Sequence, residues 1–121
     1  MIINLKKLQK KFKGLKGLNL KKHLSRAREE TLCIVIVFFN QQKIRDSAGK
    51  ALLKRNSVDI YSLICVARNC SNEFKEEAWE RLSKEDLSEA NLYHIIREIP
   101  YLRERAKKKL SEKYPEKNKK K

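Results

Sequence analysis

The chain has 121 residues, 40% hydrophobic and 37% charged, with a formal net charge of +15; that is apolar enough for one modest core and too little for two ordinary domains. The apolar run LCIVIVFF at 32–39 is far short of the roughly 20 residues that span a bilayer. Cys33, Cys65 and Cys70 form no CxxC pair, which argues against a disulfide framework or a four-ligand zinc site and fits a reducing cytoplasm.

The first segment is basic. Residues 1–28 hold ten Lys/Arg and no acid. Within 1–19, Ile2, Leu5, Leu8, Phe12 and Leu15 recur at three- and four-residue steps, so a helix there has an apolar stripe bordered by cations. The lysines interrupt the apolar residues, unlike the hydrophobic core of a signal peptide. Three readings compete: a cap on a helical array with lysines turned to a phosphate backbone, a helix lying on an anionic membrane, or a helix for a partner's groove. Gly14 and Gly17 interrupt the helix and no Trp anchors it, which disfavours the membrane. The first reading is preferred, because a second cationic end lies at KKKLSEKYPEKNKKK, residues 107–121.

From Leu20 onward the pattern repeats. Leu24, Leu52, Leu82 and Leu110 are separated by 28, 30 and 28 residues, and four positions before each stand Leu20, Ala48, Ala78 and Ala106. Ile44, Phe74 and Leu102 lie a further four residues back, which places each set on one helical face. The small Ala in the middle admits a closely crossing helix. Each anchor is followed by a second apolar block: Leu32 and Ile36, then Ile60 and Ile64, then Leu92 and Ile96. The unit is therefore two helices.

Taken in order, LCIVIVFF would by itself suggest a strand, but its counterparts DIYSLICVAR at 59–68 and NLYHIIREI at 91–99 have helical spacing, so it is expected to be a helix buried on most of its circumference. Ser57 is expected to cap a helix from Val58, Ser71 or Asn72 one with Glu73, Glu76 and Glu77 in its first turn, and Ser88 one from Glu89. Pro100 marks the start of the last helix. The expected organisation is a basic amphipathic segment at 1–19, a helical-repeat domain at 20–113 and a disordered Lys-rich tail at 114–121.

A two-helix period of about 28–30 residues predicts an all-α chain, a short right-handed α-solenoid, with a plain bundle of about five or six helices as the alternative. With EEAWERLSKED and LRERAKKKLSEK as its clearest units, the stretch from Leu20 to Lys113 resembles HEAT-like or leucine-rich-repeat-variant helical arrays. That resemblance implies a binding scaffold and names no partner.

No catalytic constellation is visible, so an enzyme is not expected. His23 sits among lysines, and His94 lies between Tyr93 and Ile95 without an HExxH pattern. Cys33 and Cys65 read as small core residues, and Trp79 as a core aromatic. SAGKAL at 47–52 lacks the flanking residues of a phosphate loop, and GLKG at 14–17 lacks the βααβ setting of a KH loop.

The function expected is nucleic-acid binding through phosphates with little sequence specificity, RNA ahead of DNA, since basic tails on a small body are similar to those of ribonucleoprotein components. The candidate contacts are Lys6, Lys7, Lys10, Lys11, Lys13, Lys16, Lys21, Lys22, Arg26 and Arg28, with Lys107, Lys108, Lys109 and Lys119–Lys121 as a second group. The alternative is a protein-interaction adaptor docking through Glu73, Glu76, Glu77 and Glu80. No cofactor, metal or small-molecule substrate is implied.

Overall fold

A computed structural model describes residues 6, 7, 10 and 17–115. Every regular element among them is helical, in the order α1 (Gly17–Arg26), α2 (Glu29–Phe38), α3 (Gln42–Leu53), α4 (Ile60–Asn69), α5 (Asn72–Leu82), α6 (Glu89–Glu98), a 3₁₀ turn (Pro100–Leu102) and α7 (Arg103–Lys113). These seven α-helices exceed the five or six assumed for a plain bundle. None is long and apolar enough to cross a membrane. Among the described residues Lys6, Lys7 and Lys10 are also helical, and α1 begins at Gly17, ahead of the boundary expected at residue 20. At the other end Tyr114, assigned by sequence to the tail, packs against the core.

The recurring apolar positions build that core. Leu24, Leu52, Leu82 and Leu110 are buried, as are Leu20, Ala48, Ala78 and Ala106. Each fully buried Leu contributes roughly 1.5–3 kcal/mol of transfer free energy. The second blocks supply Leu32, Ile36, Ile64 and Leu92 to the same cluster, with Ile60 and Ile96 packed at its edge. Leu63, Val66, Ala67, Leu87, Ile95 and Ile99 join them.

Consecutive helices pair as hairpins: α2 with α3, α4 with α5, and α6 with α7. The turns inside hairpins are short, Phe39–Gln41 and Cys70–Ser71, while residues 54–59 and 83–88 join one hairpin to the next. Across hairpins α1 packs on α3, α3 on α5 and α2 on α4. The segment LCIVIVFF is helical as far as Phe38, with Phe39 its extended C-cap and Leu32, Val35 and Ile36 fully buried. Its last turn departs from expectation: Val37 and Phe38 are 39% and 53% exposed. Val35, Ile36 and Phe39 in the same stretch stay buried, so the exposure is confined to one side.

Helix ends are capped largely from other helices. Ser71 and Ser88 both stand at N-caps the sequence predicts, but of the two only Ser88 makes the side-chain cap, with reciprocal bonds Asn91 N–H to Ser88 Oγ at 3.0 Å and Ser88 N–H to Asn91 Oδ1 at 3.1 Å. The helix expected from Val58 starts at Ile60 instead. The Asp59 N–H donates to Glu29 Oε2 of α2 at 3.0 Å, so a neighbour's carboxylate fixes that start. The same occurs at α5, where the Ser71 N–H donates to Asp46 Oδ1 of α3 at 2.8 Å and the Ser71 hydroxyl donates to Oδ2.

C-terminal ends are treated with cations. Arg55 donates to the carbonyl of Ala27, just beyond α1; Arg81 donates to that of Leu53, the last residue of α3, at 3.0 Å; Lys109 donates to that of Ser83, the C-cap of α5, at 2.8 Å. Each occupies carbonyls that a helix end leaves unpaired and puts positive charge at the negative end of the dipole. The partners are 28, 28 and 26 residues apart, one structural period in each case.

Candidate nucleic-acid interface

Helices α1 and α3 lie against one another, and a row of side chains from each borders the cleft between them. From α1 come Lys21 and Ser25, one turn apart; from α3 and its C-cap come Ser47, Lys50, Ala51 and Lys54, at i, i+3, i+4 and i+7. The rows line a cleft of about 330 Å³. Buried apolar residues at Leu20, Leu24, Ala48 and Leu52 on the adjoining faces hold the two helices in this register.

The cleft is electrostatically unbalanced. The Ser25 hydroxyl donates to the Lys22 carbonyl at 2.8 Å and the Ser47 hydroxyl to the Lys43 carbonyl at 2.9 Å, so both turn back into their own helices. The ammonium groups of Lys21, Lys50 and Lys54 have no ion-pair partner among the described residues. The Lys54 pKa is lowered, chiefly by the charge of Lys21, then by burial and by Lys50. Three cations held this close repel one another, and an anion between them would relieve that repulsion.

Of the residues chosen from sequence, Lys21 lines this cleft. Lys22 and Arg26 are exposed on the same helix, and Lys6, Lys7 and Lys10 are exposed. Arg28 lies 4.0 Å from Glu30 at the surface. Lys11, Lys13, Lys16 and Lys119–Lys121 lie outside the described residues, as does the apolar stripe from Ile2 to Leu15. In α7, Lys107 is 3.7 Å from Glu104, Lys108 is exposed, and Lys109 is occupied by the Ser83 carbonyl. Lys50 and Lys54 were missed. The signal for them was present, since KALLK at 50–54 places two lysines one turn apart beside the buried Ala48–Leu52 face.

A second, more open cleft of about 600 Å³ is lined in part by Arg45, Arg68 and Lys75. Its cations are engaged within the fold: Arg45 Nε with the Phe39 carbonyl, Lys75 Nζ with those of Ala67 at 2.9 Å and Arg68 at 3.1 Å, and Arg68 with Glu98 at 3.2 Å. The acidic group is also partly committed. Arg105 holds Glu76 with two bonds of 2.7 Å and Tyr101 donates a third, while Glu80 is 4.0 Å from Lys84. Glu73 and Glu77 are exposed.

His23 is exposed and His94 half-buried. The segment SAGKAL lies inside α3, and Trp79 packs against the core. Among the described residues no three His, Cys, Asp or Glu side chains are grouped to hold a metal. Comparison with known protein families, with curated proteins and with solved structures finds no match.

Proposed function

We propose that this chain is a small helical-repeat protein, a short right-handed α-solenoid, that binds nucleic acid through its phosphate backbone, RNA ahead of DNA. The observation that carries the reading is the unpaired triad of Lys21, Lys50 and Lys54 in one cleft. Elsewhere in the described body, cations such as Arg55, Arg81, Lys75 and Arg105 are bonded to carbonyls or carboxylates. Lys21, Lys50 and Lys54 have no such bond among the described residues and face one another. The lysines of residues 6–16 precede α1 in sequence, so a polyanion seated in the cleft has further cations on the same stretch of chain to meet.

The repeat reading is supported by the reach of the polar contacts. The side-chain hydrogen bonds named between hairpins join residues 25–33 apart, about one period, as expected where each unit touches its neighbours. Phosphate contacts of this kind give affinity without base discrimination. The test is the affinity of the full chain, and of a chain lacking residues 1–19, for generic single-stranded RNA and for duplex DNA as salt is raised. A steep linear fall of log affinity against log salt is expected, shallower in the shortened chain. Absent or salt-independent binding at low ionic strength overturns the reading. Retained binding of a protein partner with no nucleic-acid affinity would favour the adaptor instead.

A further inference from the structure

The cleft between α1 and α3 is smaller and more enclosed than the one lined in part by Arg45, Arg68 and Lys75. Its volume of about 330 Å³ falls at the lower end of the roughly 300–1,000 Å³ of small-ligand sites. No Asp or Glu is among the residues that line it. Asp46, next to Ser47 in sequence, is taken by the N–H and hydroxyl of Ser71 and by Gln42. A compact pocket with three cations and no acid selects for charge packed into a small volume. An internal phosphate of a nucleic-acid strand carries one negative charge, whereas a phosphomonoester carries close to two at neutral pH and presents three strong acceptor oxygens. We propose that this cleft holds the terminal phosphomonoester of an RNA strand, with Lys21 on one wall and Lys50 and Lys54 on the other donating to its oxygens. The inference rests on the nucleic-acid binding proposed for this chain and names the part of the strand that enters.

The surroundings agree. Lysine is a point charge with three donors on a flexible stem, suited to a compact phosphate rather than to planar, two-pronged recognition. Ser25 and Ser47 give their hydroxyl protons to the carbonyls of Lys22 and Lys43, so the lysines are the donors that a ligand meets. Half-buried Ala51, on the α3 wall between Lys50 and Lys54, carries no side chain beyond Cβ to fill the space. Lys54 is pushed down first by the charge of Lys21, then by burial and by Lys50, and a dianion relieves that crowding more fully than a monoanion does. Lys22 and Arg26, exposed on α1, are left for the phosphates that follow the terminal one. A strand with hydroxyl ends still meets the three lysines through internal phosphates, more weakly.

The test measures binding of the full chain to one single-stranded RNA sequence in four forms at fixed low salt. The forms are hydroxyl at both ends, a 5′-phosphate, a 3′-phosphate, and the tighter-binding phosphate blocked as its methyl ester, which restores a single charge. A phosphorylated end should bind about tenfold more tightly than the hydroxyl form, the effect of one further charged hydrogen bond, and comparing the two ends shows which one enters. The methyl ester should lose most of that gain. Changing Lys21, Lys50 and Lys54 together to Gln should abolish the preference. Equal affinity for all four forms would overturn the terminal-phosphate inference, and the nucleic-acid reading would stand if that shared affinity still falls steeply with salt. Absence of binding to every form would overturn both. A preference undiminished in the triple variant would overturn the assignment to this cleft.

Discussion

Arg81 of α5 donates from Nη1 to the carbonyl of Leu53, the final residue of α3, at 3.0 Å. Its other amino group lies 3.4 Å from the Asn56 carbonyl, so one guanidinium holds both the end of a helix and the connection that follows it. Arg55 does the same for the end of α1, and Lys109 for the end of α5. Charge in this protein therefore has two uses, one structural and one left open to solvent.

Replacing Arg81 with Met removes the structural use while keeping much of the stem. The loss of a charged hydrogen bond to helix-end carbonyls is expected to cost about 1–2 kcal/mol. Urea denaturation checks this, and RNA affinity should stay unchanged because Arg81 lies outside the cleft.

Gly49 lies where α3 meets the turn after α4. A Cβ there would stand 2.6 Å from Cys70 Sγ and 3.6 Å from Val66 Cγ1. Cys70 is 2% exposed and its only side-chain freedom is χ1, so Gly49→Ala is expected to destabilise by about 1–2 kcal/mol despite the better helix propensity of Ala. In the Gly49→Ala, Cys70→Ala double variant the clash is gone. The two effects should couple favourably in a double-mutant cycle.

Glu76 and Arg105 give a pH dependence of known sign. Arg105, followed by Tyr101, holds the Glu76 carboxyl at about 2, below its ordinary 4.5. A depressed carboxylate contributes stability that is present above pH 4.5 and lost as pH falls towards 2. The pair is solvent-exposed and weakened by salt. Thermal unfolding across this range should show a steeper decline in the unaltered chain than in Glu76→Gln.

Lys54 has the opposite sign. Its pKa is lowered by Lys21, burial and Lys50, so its positive charge opposes folding, and stability rises as pH climbs through the folded-state value. Lys54→Gln should raise the unfolding temperature at low salt while weakening RNA binding. A variant that is both less stable and fully able to bind would contradict the assignment of this cleft.

Much of the framework was readable because it depends on local periodicity. Leu52, Ala48 and Ile44 announce a buried face through their own spacing, and Ser88 announces a helix start. The start of α4 did not follow its local signal at Ser57, because Glu29, 30 residues away, binds the Asp59 N–H. Arg81 and Leu53 are likewise unmarked by any neighbouring residue. The cleft was half legible: Lys21 stood out in the acid-free first 28 residues, whereas Lys50 and Lys54 sit in a stretch of mixed charge and join Lys21 only when α1 packs on α3. Total charge pointed to the chain ends, but it could not separate Lys109, which caps a helix, from cations available to a ligand.

The most direct measurement is the salt dependence of affinity for generic single-stranded RNA, comparing the unaltered chain with one in which Lys21, Lys50 and Lys54 are all Gln. Each phosphate contact adds about 0.7 to the log–log slope, so the substituted chain should bind more weakly at every salt concentration with a slope shallower by about 2. Identical affinity and slope in the two chains, with the substituted one still folded, would contradict a phosphate-binding role for the cleft.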